Sequence, residues 1–68
     1  IDLISEREMQ ILLMITSGQK VNEIADKLCL SPKTVNSYRY RLFEKLEVDS
    51  DVELTHFAIR NKLISSED

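Results

Sequence analysis

The sequence predicts an all-α fold, a compact bundle of four helices. Apolar residues recur at helical spacing in four segments, and helix-start signals lie at suitable distances from them. Glycine and proline, which punctuate β-rich chains, occur once each among the 68 residues. A chain of this length forms one domain, residues 1–68, and buries only about 60% of its unfolded surface. The predicted helices span about residues 6–17, 21–28, 32–46 and 51–61.

The first predicted helix has well-defined ends. Ser5 and Glu8 have the spacing of a capping box, in which each side chain accepts a hydrogen bond from the other residue's backbone N–H. Gly18 can adopt the left-handed conformation that ends a helix. The apolar residues expected to face the core are Ile11, Leu12, Met14 and Ile15.

The second and third predicted helices form a helix-turn-helix candidate. Ser31 caps the third helix, and Pro32 takes its first position, where a missing N–H has no cost. Ala25 has a methyl side chain, which lets another helix approach the second helix closely. About three residues separate the two helices, so the motif spans about residues 22–41.

The fourth predicted helix begins at a second capping box, formed by Ser50 and Glu53. Several of its residues have two interpretations, a dimer seam or ordinary core packing, and the sequence leaves both open. These residues are Val52, Thr55, His56 and Ile59. After this helix, residues 65–68 are expected to be frayed.

Charge is unevenly distributed along the chain. Twelve acidic and nine basic side chains give a net charge of −3, which taken globally argues mildly against a nucleic-acid partner. Residues 28–46 nevertheless carry four basic side chains against one acidic side chain, a net charge of +3 that leaves −6 for the rest. Electrostatic attraction is local at physiological salt, because the Debye length is about 8 Å. The third predicted helix is therefore a basic element in an acidic domain.

This basic helix has the dimensions and the side chains of a DNA reader. A helix about 10–12 Å in diameter fits the major groove of B-DNA, which is about 12 Å wide. Asn36 can donate to and accept from adenine, and Arg41 can reach phosphate or guanine. The favoured function is sequence-specific binding of double-stranded DNA in transcription regulation. The alternative is a protein-interaction helical bundle that keeps the helix-turn-helix shape.

Other classes of function are disfavoured. The sequence has no nucleophile–base set, metal-ligand cluster or phosphate-binding loop, so we expect no enzyme activity, no cofactor, no metal and no small-molecule ligand. Cys29 is the single cysteine, which excludes an internal disulfide and fits a reducing, cytosolic compartment. Cys29 and His56 alone cannot form a zinc site with three or four protein ligands. No apolar run is long enough for a transmembrane helix, so no membrane partner is expected.

Short motifs with ungapped spacing run through nearly the whole chain. They comprise residues 4–8, Ile11, Leu12, Gly18, residues 23–25, Leu28, Leu30, Ser31, Thr34, Val35, Lys45, Leu46 and Val48. Together they resemble the LuxR-type helix-turn-helix domains of the NarL/FixJ family, and residues 31–41 are most similar to the GacA/UvrY subgroup of bacterial two-component response regulators. The resemblance implies a cytoplasmic bacterial output domain whose third helix lies in the major groove. It also implies a phosphorylatable receiver domain upstream, which is absent from this chain.

The resemblance also assigns roles to particular positions. It places the base contacts on Asn36, Ser37 and Tyr40. It places the backbone contacts on Lys33, Thr34, Arg41, Lys45, Lys20 and Asn22. Family members pair on DNA through the fourth helix, which makes Val52, Thr55, His56 and Ile59 the candidate dimer face of a homodimer on paired half-sites. RNA polymerase is a further candidate partner.

Six positions depart from the family pattern. Asn22 stands where a lysine is usual, which weakens one expected phosphate contact, and Asn36 replaces the usual basic residue of the recognition helix. Tyr38 stands where histidine is usual.

Arg39 lies where an apolar residue is usual, so we expect its side chain to extend towards a phosphate or a carboxylate. Glu47 and Lys62 replace glycines that commonly follow the third and fourth helices. An ordinary residue in the left-handed conformation costs roughly 1 kcal/mol, so both helix ends are expected to need another C-cap.

Overall fold

The structure, a computed structural model, describes residues 4–64 and contains four helices in that range. They are α1 (Glu6–Thr16), α2 (Val21–Leu28), α3 (Pro32–Leu46) and α4 (Asp51–Arg60). The predicted all-α class is confirmed, and α1 and α4 each end one residue earlier than predicted. The fraying expected for residues 65–68 lies outside the described residues.

The helix starts follow the predicted caps with one exception. At α1 the capping box is complete: the Ser5 N–H donates to Glu8 Oε1 at 2.9 Å, and the Glu8 N–H donates to Ser5 Oγ at 3.2 Å. At α4 the Ser50 hydroxyl accepts from the Glu53 N–H at 3.2 Å. The Glu53 carboxylate, however, accepts from the N–H of Asp49. The predicted box at Ser50 is therefore wrong in one half, because the carboxylate reaches one residue further back.

All four helices end in the same hydrogen-bonding pattern. In each, two successive N–H groups beyond the helix bind carbonyls of its last turn, with the first of the two residues left-handed. That residue is glycine only after α1, where Gly18 has a φ of 95°. After the other helices it is Cys29, Glu47 or Lys62, with φ values of 58°, 58° and 60°. The expectation of another C-cap at these two helix ends is therefore wrong, because Glu47 and Lys62 take the left-handed conformation themselves and complete the same pattern as Gly18.

The core lies around α1, which packs against each of the other three helices, while α2 also packs against α3. Ala25 is buried on α2, consistent with the close helix approach predicted for it. This arrangement buries one side of α3 and leaves the opposite side accessible. The buried apolar residues are Ile11, Leu12, Ile15, Ile24, Ala25, Val35, Leu42, Val48, Leu54 and Ala58.

Candidate nucleic-acid interface

The side of α3 opposite the core forms an exposed polar surface. Val35 and Leu42 are completely buried and fix the inner side of the helix. At 100° per residue, the exposed side chains fall roughly opposite them. We define the α3 outer face by these exposed residues: Lys33, Ser37, Tyr40, Arg41 and Glu44. The structure therefore brings together four of the nine predicted base and backbone contacts on this face, with Asn36 half-buried at its edge.

The helix-turn-helix corner fixes where the first turn of α3 begins. Cys29 turns the chain in its left-handed conformation, and Ser31 caps α3 by accepting from the Thr34 N–H at 3.2 Å. The hydroxyls of Ser31 and Thr34 lie 3.0 Å apart, so the predicted backbone contact Thr34 also takes part in the cap. Lys33 projects from the same turn and is exposed.

Two further predicted backbone contacts lie at the start of α2. Lys20 occupies the N-cap position and Asn22 the first turn, and both are exposed. The Lys20 N–H donates to Glu23 Oε1 at 2.9 Å. Glu23 thereby places a negative charge beside the helix N-terminus, next to the two predicted contacts.

Sequence reasoning missed the role of Glu8 as a buried partner of the basic helix. Its Oε1 accepts from Lys45 Nζ at 2.8 Å, and its Oε2 lies 4.0 Å from Arg41 Nη1. Glu8 is only 2% exposed, although it is charged. The available signal was spacing: Glu8 precedes Ile11, Leu12 and Ile15 at the 3-, 4- and 7-residue intervals of the buried stripe of α1.

The ion pair changes the acidity of Glu8. The hydrogen bond from Lys45, followed by that from the Ser5 N–H, lowers the pKa of the Glu8 carboxyl below its usual range, against the opposing effect of burial. Glu8 is therefore an anion that holds Lys45, a predicted DNA-backbone contact, against α1, with Arg41 nearby.

Arg39 extends to a carboxylate, one of the two outcomes expected for it. Its Nε donates to Asp51 Oδ1 at 3.0 Å and its Nη2 to Asp51 Oδ2 at 3.2 Å, a two-bond contact that joins α3 to the first residue of α4. The remaining Nη1 donates to Asn36 Oδ1 at 3.2 Å. The hydrogen bonds with Asp51 raise the pKa of the Arg39 guanidinium. Arg39 thus connects α4 to a predicted base contact.

The aromatic residues of α3 differ in exposure. Tyr40 is 59% exposed, and its ring meets that of Phe43 edge-on with centroids 6.0 Å apart. Tyr38 is half-buried beneath the Arg41 guanidinium, whose carbon lies 5.4 Å from the ring centroid. Tyr40 is therefore the aromatic side chain that the α3 outer face presents to solvent, whereas Tyr38 packs against the body of the domain.

The candidate dimer residues of α4 lie mostly away from the core. Leu54 and Ala58 are fully buried on the inner side. Val52 is 65% exposed, so core packing does not account for it. The exposed and half-exposed residues on the opposite side, which we call the α4 outer face, are Val52, His56 and Ile59. Thr55 lies at its edge, where its hydroxyl donates to the Asp51 carbonyl at 2.9 Å.

Residues 4–64 lack the features of two other kinds of site. Within that range, no three His, Cys, Asp or Glu side chains are grouped so that they could hold a metal ion. Within the same range, no helix has the length and apolar character needed to cross a bilayer.

The fold and the α3 outer face define a helix-turn-helix domain of the DNA-binding class. The sequence profile described as GerE, bacterial regulatory proteins of the luxR family, matches residues 2–58. The chain therefore belongs to the luxR family of bacterial regulatory proteins, and the predicted family is confirmed. This family consists of regulators, a class that generally does not catalyse reactions.

The curated relatives that the chain matches are named as response regulators, which confirms the predicted subgroup. The chain is 69% identical over 64 residues to the response regulator UvrY of Escherichia coli strain K12, covering 94% of this chain and 29% of that protein. It is 63% identical over 65 residues to the response regulator GacA of Pseudomonas viridiflava, covering 96% of this chain and 30% of that protein. The identity to GacA of Pseudomonas aeruginosa is 60%, with the same coverage. The chain thus spans less than a third of the length of these relatives.

Proposed function

We propose that this domain binds double-stranded DNA sequence-specifically, with α3 in the major groove, as the output domain of a two-component response regulator. The observation that carries the proposal is the α3 outer face, an accessible set of polar and charged side chains, two basic and one acidic, on a helix whose opposite side is buried. Its position is fixed at both ends, by the Ser31 cap and by the ion pair between Lys45 and Glu8. A rigidly held polar helix can present side chains to base edges in a fixed register.

The side chains of α3 divide into two roles. Asn36, Ser37 and Tyr40 contact bases, because they project from the middle of the helix and carry groups that hydrogen-bond or pack on base edges. Lys33 and Arg41 contact phosphates on either side of them, since long cationic side chains match the backbone charge.

The second set of backbone contacts is assigned to residues around α3. Lys20 and Asn22 at the start of α2, and Thr34 in the first turn of α3, offer donors near the path of one strand. Lys45 contributes positive charge while it is bound to Glu8, so its contact with DNA is weaker than that of Lys33.

Two copies bind paired half-sites through α4 in this proposal. The apolar side chains of Val52, which is exposed, and Ile59, which is half-buried, with His56 between them, favour pairing of α4 outer faces over a purely solvated surface. A receiver domain upstream of this domain controls the pairing by its phosphorylation, in the cytoplasm of a bacterium, and RNA polymerase is the partner through which transcription responds. The names of the relatives, response regulators, support this assignment.

The test of DNA binding is a salt titration with a Lys33/Arg41 double alanine variant. Affinity of the wild-type chain for duplex DNA should fall steeply between about 50 and 200 mM salt, because phosphate contacts release counterions. The double variant should bind all duplexes more weakly and with a shallower salt dependence. Equal binding by wild type and variant would refute the assigned face. A flat salt response with retained binding to another protein would instead favour the alternative, a protein-interaction bundle.

A further inference from the structure

We infer that Arg39 is a positioning residue that fixes the amide of Asn36, so that Asn36 presents its hydrogen-bond donor to DNA. The inference rests on the proposed DNA binding and specifies the base chemistry that Asn36 selects. It depends on a chain of contacts from α4 to the edge of the α3 outer face, namely Asp51, Arg39 and Asn36.

The first link holds the Arg39 guanidinium in one orientation. Both oxygens of Asp51 accept from it, at 3.0 Å from Nε and 3.2 Å from Nη2. Two parallel bonds between a planar fork and a carboxylate fix direction as well as distance. The rings of Tyr40 and Phe43 lie 5.6 and 5.3 Å from the guanidinium carbon and confine the same group further. The Arg39 side chain is only 24% exposed, so water competes poorly with these partners.

The second link fixes the orientation of the Asn36 amide. Arg39 Nη1 lies 3.2 Å from the amide atom that faces it. A guanidinium has donors and no acceptor, so only the carbonyl oxygen of the amide can face it favourably. A rotated amide would set Nδ2 against a cationic N–H donor. Oδ1 is therefore directed towards Arg39, and Nδ2 is the group left for a base at the edge of the α3 outer face.

The consequence is a choice between classes of base. The two-bond contact of asparagine with adenine needs Oδ1 to accept from the adenine N6 amino group. The bond from Arg39 takes one of the two acceptor sites of Oδ1 and directs this oxygen towards the guanidinium, which weakens the two-bond contact with adenine. Nδ2 alone can still donate to adenine N7, but the neighbouring N6 amino group is a second donor that it then faces. Guanine O6 and N7 and thymine O4 are acceptors in the major groove. Asn36 therefore prefers a base with a keto oxygen, guanine or thymine, because neither has a donor of its own beside the acceptor in the major groove. The adenine contact that the sequence suggested for Asn36 is replaced by this one.

The experiment is selection of bound duplexes from a random pool with the 68-residue chain, followed by affinity measurements on single-base variants of the selected site. Asn36→Ala identifies the base pair that Asn36 contacts. Arg39→Met then removes the donor while keeping an unbranched apolar stem. Arg41→Met, the control, removes the same charge from α3 at a position that does not touch Asn36.

The wild-type chain should prefer guanine or thymine over adenine at that base pair. In Arg39→Met the preference should shift towards adenine by about three- to tenfold, the value of one hydrogen bond. Arg41→Met should weaken binding to every duplex and leave the preference unchanged. A structural role of Arg39 would lower stability and affinity without changing the base selected. Should Arg39→Met fail to fold, Asp51→Asn, which weakens the anchor of Arg39, provides the same test.

Two results would overturn the inference while leaving DNA binding intact. One is a wild-type preference for adenine that depends on Asn36. The other is a base preference that is the same in wild type and in the folded Arg39 or Asp51 variant. Failure of the wild-type chain to bind any duplex would instead refute the proposed function, and the inference with it.

Discussion

Glu8 Oε1 on α1 accepts a hydrogen bond from Lys45 Nζ on α3 at 2.8 Å, across 37 positions of the sequence. The same carboxylate caps its own helix through Ser5, so one buried group joins the start of α1 to the end of α3. The C-terminal half of the proposed reading helix is therefore positioned by the helix at the centre of the fold. Under the proposed function, Glu8 would couple stability to DNA binding, because two proposed backbone contacts, Lys45 and Arg41, lie beside its carboxylate.

We predict that Glu8→Gln lowers the free energy of unfolding at neutral pH by about 1–2 kcal/mol, the value of a charged hydrogen bond reduced for the partly exposed lysine. Glutamine preserves the capping box, so the loss reports the ion pair. Urea denaturation measures it, and Glu6→Gln, an exposed change in the same turn, is the control. A loss no larger than that of the control would contradict the assigned role.

The pH dependence of the same variant gives a second, independent prediction. The folded pKa of Glu8 is lowered, so its contribution to stability is present above the unfolded value, about 4.3, and is lost as the pH falls through the folded pKa. Wild-type stability should therefore decline more steeply in acid than that of Glu8→Gln. Urea midpoints measured from pH 6 down to pH 3 should converge for the two proteins. Parallel curves would show that Glu8 is not the group that titrates.

The helices and most of their ends could be predicted from the sequence because their signals are local. Ser5, Ser31 and Gly18 act within one turn of the residues that they cap. The half-formed box at Ser50 shows the limit of this reasoning, since residue type and spacing are correct and the carboxylate of Glu53 still selects a neighbouring N–H.

The partners of the site residues could not be predicted, because they depend on how helices cross. The sequence predicted that Arg39 would bind either a phosphate or a carboxylate. Its partner is the carboxylate of Asp51, because the first turn of α4 lies beside α3. Nothing local indicates that Lys45 meets Glu8. The pattern of polar residues predicted that the α3 outer face is exposed. The hydrogen bond between Asn36 and Arg39 could be identified only from the folded structure.

The left-handed residue after α3 gives a third prediction. Glu47 bears the steric cost of a φ of 58°, and its negative charge lies at the C-terminal end of a helix. Glu47→Gly should raise the free energy of unfolding by about 0.5–1 kcal/mol, after allowance for the flexibility of glycine in the unfolded chain. Glu47→Ala removes the charge and keeps the steric cost, so it should stabilise less. Equal gains in the two variants, measured by thermal or urea denaturation, would assign the whole effect to charge.

A fourth prediction concerns Lys33, which is exposed in the first turn of α3. Lys33→Ala should weaken binding about equally on all duplexes, because a phosphate contact carries no base information. The slope of log affinity against log salt should become shallower by about 0.9, the value for one phosphate contact. Fluorescence anisotropy at several salt concentrations measures both quantities. Arg7→Ala, the same charge change on the exposed side of α1, should leave the slope unaltered, and a change as large as that of Lys33→Ala would indicate a general charge effect.

The proposed pairing through α4 gives the last prediction. Val52 is 65% exposed, so Val52→Glu should leave the fold and the affinity for a duplex with a single selected half-site intact. Across a two-fold axis the substitution sets like charges close together in an apolar contact. Affinity for a duplex with two half-sites should therefore fall by about tenfold or more, because binding of one copy no longer favours binding of the second. Leu13→Glu introduces the same charge at an exposed leucine of α1 and should retain the preference for two half-sites. If Val52→Glu retained it as well, pairing would have to occur elsewhere than on the α4 outer face.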